Sequence, residues 1–420
     1  LSLLIVSQNA APAELREASA EGRTVFEQAK DKLLQIRVVH KATGAQASMG
    51  SGFLASADGL VLTNYHVVAD VALEPKTYAL EFERSDGTTG KPRLLVVDVA
   101  NDLAVLATDL RGQPFLAIRA APLEKGDRGF ALGHPLHLGP AIVEGTYNGY
   151  VEATAIPRIH FTGAVNSGMS GGPAITSDGA VFGVNVSRMW LQQLVSFLVP
   201  AEAAAELLRR AQSAGEPPAD FRKEVGAQLL AQQARVFERL LAEPVKTSAM
   251  GRYTVPDAAG PLMRCWGAAL DEPELLYGHD FKVCSLRSGT YVTDGLQTGE
   301  LRFVHSVLEA RGLGALRFAS LMEERYGAPA TASSFMPNRK ELTGFRCHDD
   351  FVSRPGGTLR VTLCSRAYKS FAGLYDFHLR VLTVDSDSSA LLSSVTLPGV
   401  SFENGVRFAR RHVEAISWTK

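Results

Sequence analysis

No cysteine precedes Cys265 in this chain of 420 residues; the others are Cys284, Cys347 and Cys364. None lies in a C-x-x-C pair and no nearby histidine pair has zinc-finger spacing, so the pattern argues against a structural zinc. An even number fits disulfides in an oxidising compartment instead. Net charge is almost absent. Lys and Arg number 43 against 44 Asp and Glu, a formal charge of -1, and this balance argues against a nucleic-acid surface or a polybasic membrane anchor. Nor is any apolar run long enough to span a bilayer. What is left is an ordinary globular composition, 46% hydrophobic and 21% charged, at a length that accommodates two or three domains.

The first segment, "LSLLIVSQNAAPA", reads as the tail of a signal peptide, with Ala11-Pro12-Ala13 suiting a cleavage site, or else as an apolar arm over residues 1–23. Next, "TVFEQAKDKLLQIRVVH" predicts a helix that runs into a strand, since Phe26, Ala29, Leu33 and Leu34 recur at helical spacing. From Ser51 to Val199 short β-rich runs alternate with glycine and proline, the pattern of an antiparallel barrel or sandwich. "PAEAAAELLRRAQ" predicts a helix opened by proline. "SAGEPPAD" is a linker by composition. A second, amphipathic helix follows, with Phe221, Val225, Leu229, Val236 and Leu240 on one side, read as an interdomain spacer within a linker over 213–249.

The region 250–420 repeats itself weakly. "RCW…DFKVCS" is echoed by "RCH…TLRVTLCS", "ELRFVHSV" by "HLRVLTVD", and "ALRFASLMEE" by "GVRFARRHVE", in the same order. The repeat implies two α+β units, each stapled by its own bridge, Cys265–Cys284 and Cys347–Cys364, although four cysteines allow other pairings. "CHDD", Cys347 to Asp350, reads as a solvated turn beside a bridge rather than a metal or acid–base site.

Three dispersed residues carry the chemistry. "LTNYHVVAD" places His66 after an apolar strand, "NDLAVLATD" places Asp102 just before another, and "NSGMSGGP" places Ser170 among glycines. Each alone is more often structural: a histidine at a strand end, a capping aspartate, a serine in a glycine turn. In the order His, Asp, Ser they match what acyl transfer needs, a base, its orienter and a nucleophile. The glycines let the amides of Gly168 and Ser170 converge on a carbonyl oxygen that turns negative. His134 and His137 sit three apart with no evident third ligand, so they do not read as a metal site.

Taken together, "GSGFLASADGLVLTNYHVV", "DLAVL", "ALGHPLHLGP", "NSGMSGGPAI", "VFGVN" and "SFLVPA" resemble the ordered blocks of the HtrA (Deg) family of trypsin-like serine proteases, over roughly residues 24–212. The resemblance implies a mainly β fold of two six-stranded antiparallel barrels with His66, Asp102 and Ser170 in the cleft. It also implies a serine endopeptidase of polypeptides, working without metal or organic cofactor. Its pocket would be lined by Ala164, Val165, Val184 and Asn185 and would prefer a small or medium apolar residue, with Trp190 in "SRMWLQQ" as a candidate lid. The sequence departs from the family at Met169, where Asn or Asp is usual, and at His134, where Asn is usual. No Gly-Leu-Gly-Phe-like loop of a PDZ domain occurs in 250–420, which reads as an accessory domain that binds a protein partner or regulates. A periplasmic or secreted location follows from the cysteines and the first segment. The rival reading is a catalytically silent pseudoprotease that binds peptides.

Overall fold

Strand alternation builds the first unit. In Leu33–His40 the interior positions include Leu34, Ile36 and Val38, all fully buried. A computed structural model describes residues 20–119, 123–135, 138–188, 195–258, 260–270, 272, 274–286, 289–327 and 340–419. The signal-peptide reading of the first residues, His137 and Trp190 lie outside the described residues. The first sheet runs in the order Thr89–Gly90, Tyr78–Glu83, Leu33–His40, Gln46–Leu54, Leu60–Thr63, Leu103–Ala107, Arg93–Asp98. This departs from the six closed strands expected. There are seven, and the two ends of the order do not pair. The chain passes between those ends through Lys91 and Pro92, and proline has no N–H to extend the ladder.

The second unit is a closed barrel of Ile159–Thr162, Ser196–Pro200, Val181–Arg188, Pro173–Ile175, Arg128–Gly133 and Ala141–Tyr150. One core joins the two units. Leu33, Phe53, Leu62 and Val105 of the first meet Phe130, Leu132, Ile175 and Val184 of the second, under the helix Ala201–Gln212. The cleft between the units is therefore held by packed apolar surface, and a shift of one unit against the other costs contacts on both sides.

The helix Arg222–Ala242 is not a free spacer. Val225 and Leu229 share a core with Val97 and Val99 of the first unit and with Phe371 and Leu374 of the C-terminal region. Val236, Phe237 and Leu240, further along, belong to the core of that region. The two α+β units read from the repeat form one seven-stranded antiparallel sheet. Its order is Arg264–Leu270, Tyr277–Leu286, Leu301–Ala310, Ser389–Val400, Tyr375–Thr383, Gly357–Ala367, Arg346–Arg354. The Cys-bearing hairpins of the two copies are its two edges. Cys265 faces Cys284 and Cys347 faces Cys364 in register, and each pair is bridged. "CHDD" lies in the edge strand rather than in a turn, because Arg346–Arg354 pairs along its whole length with Gly357–Ala367, and Asp349 is held there by Arg360 and Thr362.

Candidate active site

The ladder between Leu60–Thr63 and Leu103–Ala107 sets the first half of the site. Thr63 is paired with Ala104, so the residues just beyond these strand ends fall side by side. His66 is the second residue of the helix Tyr65–Leu73 that opens there. Asp102 takes the left-handed conformation, φ 62°, which Asp tolerates better than most residues. Asn64 donates from Nδ2 to the Asp102 carbonyl at 2.7 Å. Both carboxylate oxygens of Asp102 then hold His66. The backbone N–H donates to Oδ1 at 2.8 Å, and ring Nδ1 lies 2.6 Å from Oδ2. An ionised carboxylate only accepts, so the proton sits on Nδ1 and the lone pair on Nε2. Burial pulls the imidazole down, but the charge of Asp102 and its hydrogen bond outweigh this and leave His66 above its ordinary value.

The Ser170 loop is tied by its carbonyls. Ser51 of the first unit donates from its N–H to Ser170 O at 2.7 Å and from Oγ to Gly168 O at 2.6 Å. Its Oγ in turn accepts from the His134 N–H at 2.8 Å. From the other side Asn185 Nδ2 donates to Met169 O at 3.3 Å and Leu132 O at 2.9 Å. Among the described residues neither the Gly168 nor the Ser170 amide donates to a protein acceptor. Such unspent N–H groups are uncommon in a tightly bonded loop. Gly168 and Gly171 have φ of 91° and 84°, and a Cβ on Gly171 would meet Ser51 O at 2.2 Å. The Ser170 hydroxyl reaches Val186 O at 3.4 Å, and among the described residues no hydrogen bond joins it to His66.

Residues 50–184 match the trypsin-like peptidase domain family. This part of the chain is similar in sequence to trypsin-like peptidase domains. It is similar to Serine protease HTRA1 of Xenopus tropicalis, 31% identical over 172 residues, which span 39% of this chain and 36% of that protein. It is similar also to the mitochondrial Serine protease HTRA2 of Drosophila pseudoobscura pseudoobscura, 33% identical over 174 residues, 39% of each chain. A Probable periplasmic serine endoprotease DegP-like of Chlamydia muridarum is 29% identical over 188 residues, 42% of this chain and 36% of its own. The chain thus spans little more than a third of the length of the curated relatives it matches.

Around the second barrel the expected pocket residues part company. Ala164 is exposed, but Val165 is buried in the core of the second barrel and Val184 in the core between the two units. Asn185, next along the strand, faces the opposite way and donates its amide to one carbonyl of the loop, Met169 O, and one of the strand Arg128–Gly133, Leu132 O. Of the four, Ala164 alone is presented at the surface. Met169 is 1% exposed and packs with Phe161, Val165 and Phe182. It anchors the loop in that core, and its Cα lies where a side chain on Gly133 would go, at 2.8 Å from that Cβ position. His134 is buried beside the loop, and burial pushes its imidazole down to about 4, so the ring is neutral. Asp257, Cys265 and Cys284 crowd together in the C-terminal region, but both sulfurs are spent in the bridge, which leaves one carboxylate of the three groups.

Sequence reading missed Ser51, Asn64, Val186 and Gln228. Gln228, on the helix Arg222–Ala242, clasps the segment before Asp102: its Nε2 donates to Val97 O at 2.9 Å and its Oε1 accepts from Val99 N at 2.8 Å. A glutamine on a helix flank carries no signal for such a contact. Ser51 stood inside the quoted "GSGF" block, but nothing in its neighbours marks the hydroxyl as a clamp.

Proposed function

We propose that the chain is a serine endopeptidase that cleaves polypeptides through an acyl-enzyme. His66 is the general base, Asp102 its orienting partner and Ser170 the nucleophile, with the Gly168 and Ser170 amides as the oxyanion hole. The observation that carries this reading is the doubly bonded His66–Asp102 pair, whose tautomer leaves Nε2 basic. Ser170 Oγ attacks the carbonyl carbon while Nε2 takes its proton. The same proton goes to the leaving nitrogen as the C–N bond breaks, and water then opens the ester with Nε2 again as base. The unspent Gly168 and Ser170 amides support a hole for the charge that forms.

An extended substrate adds beside the strand Val181–Arg188, whose Val186 carbonyl the Ser170 hydroxyl already reaches. Ala164 supplies no charge at the pocket, which favours a small or medium apolar residue on the acyl side. The two disulfides and the similarity to a relative named as periplasmic support a periplasmic or secreted location. No helix among the described residues is long and apolar enough to cross a membrane. The region 250–420 acts as an accessory domain with room for a protein partner.

A silent peptide-binding module is the competing reading, and the bond from Ser170 to Val186 rather than to His66 is the observation on its side. A fluorophosphonate probe separates the two. It labels the wild type and not Ser170→Ala on the endopeptidase reading; no labelling of the wild type with any peptide or activator present overturns it. Casein cleavage against hydrolysis of small esters distinguishes an endopeptidase from an esterase on the same barrel.

A further inference from the structure

The accessory domain reaches into the site just described. Between two strands of its large sheet, Tyr277–Leu286 and Leu301–Ala310, the chain makes a small hairpin, Thr290–Thr293 with Leu296–Thr298. This hairpin lies on the helix Tyr65–Leu73. Val292 and Leu296, 0% and 3% exposed, share a core with Tyr65, Val68 and Ala72. The Tyr65 hydroxyl donates to Val292 O at 3.0 Å inside that core. Lys340 pairs with Glu74 at the far end of the same helix. The hairpin is thereby fixed against the element that carries His66.

Tyr291, beside Val292, is half-buried against that core. The ring stands edge-on to the His66 imidazole, with centroids 5.8 Å apart and planes at 65°, and is also edge-on to Tyr65 at 6.4 Å. Asp102 holds the imidazole at one nitrogen. The ring contact restrains the same imidazole from outside the peptidase domain, and an apolar ring near a hydrogen bond to a carboxylate keeps water from competing for it. The His66 side chain remains 27% exposed, so the hairpin does not seal it from substrate.

We propose that Tyr291 is a positioning residue for His66, and that the accessory domain through this hairpin forms one wall of the active site. The proposal rests on the triad reading above. It explains why the hairpin and the histidine helix share a buried core rather than a solvated interface.

The test uses the full chain with Tyr291→Ala and Tyr291→Phe. Three quantities are read: kcat and KM on an apolar chromogenic peptide, the rate of fluorophosphonate labelling, and the downfield Nδ1 proton resonance, assigned by its loss in His66→Gln. Tyr291→Ala lowers kcat roughly 10- to 100-fold with KM within about twofold, slows labelling in step, and broadens the resonance by exchange with water. Tyr291→Phe keeps the ring and stays within about twofold of wild type in all three. Wild-type kcat and an unchanged resonance in Tyr291→Ala overturn the proposal, and so does a rise in kcat, which would make the hairpin an obstruction. Absence of labelling in the wild type is instead a failure of the triad reading. The resonance needs no substrate, so it decides the role of Tyr291 in either case.

Discussion

Asp102 meets three demands at once: it turns the chain with a positive φ, accepts the His66 backbone N–H and accepts the imidazole proton. Asp102→Asn keeps the shape but offers a donor where an acceptor is needed, so the imidazole takes the other tautomer. On the endopeptidase reading kcat falls by roughly 10⁴-fold while folding is preserved, measured by peptide hydrolysis beside thermal melting. On the same reading the neutral imidazole is the base, and since its folded value lies above 6.5, kcat/KM falls as the pH drops through a midpoint above 6.5. A midpoint below 6.5 in the pH–rate profile contradicts that assignment. The glycine run has a similarly local reason. Gly171→Ala forces a Cβ into the Ser51 carbonyl at a positive φ, so the loop moves and labelling of Ser170 is lost. Gly171 was readable as a loop residue from sequence; its collision with Ser51 was not. Met169, unusual in sequence, is accounted for by packing, since its side chain is 1% exposed and lies among Phe161, Val165 and Phe182.

At the scale of elements, the site is framed by clamps from outside the three functional segments. Ser51 bonds to the loop at Gly168 and Ser170. The helix Arg222–Ala242 bonds through Gln228 to the chain three residues before Asp102. Gln228→Leu leaves the Val99 N–H and Val97 carbonyl without their partner, at a cost of about 1–3 kcal/mol in urea unfolding. It also loosens the Asp102 turn, so kcat falls while KM holds; a variant with unaltered stability and kcat contradicts the clasp. The amphipathic pattern of this helix was visible in sequence because its apolar residues recur at helical spacing. Which two cores the pattern serves was not, since periodicity marks a buried face without naming what covers it.

For the whole molecule, buried neutral histidines set the acid limit. His305 and His412 stack at 5.4 Å inside the C-terminal region, with His412 bonded to Ser393 and His305 to the Pro256 carbonyl. Burial pushes His305 and His378 down to about 4, and burial with the neighbouring His305 puts His412 well below its ordinary value. In the unfolded chain such groups titrate near 6.5, so between about 4 and 6.5 the unfolded state binds more protons. Stability is whole above that window and declines as the pH falls through it, by at most about 3 kcal/mol per histidine. Urea midpoints at pH 7.5 and 5 check this, and equal midpoints refute it. Reducing the bridges, which close 19 and 17 residues of chain, costs about 3 kcal/mol each by the loop-entropy estimate. Denaturant melts with and without reductant measure that loss.

The order His66, Asp102, Ser170, the glycine loop and the alternating strands were all written in the sequence, because each depends on residue type or on short spacing. The repeat of Cys-bearing segments was equally legible, since each bridge joins neighbouring strands of one hairpin. Three matters were decided only by the tertiary structure. The repeats merge into one sheet because the strand Leu301–Ala310, paired on one side with Tyr277–Leu286 of its own copy, pairs on the other with Ser389–Val400 of the second. Val184 and Asn185 are both buried because strand faces alternate and both sides there are interior. Tyr291 arrives beside His66 from far along the chain, on a hairpin whose apolar residues find their cover in another domain. Contacts of that kind depend on which surfaces meet, and no local pattern encodes the partner.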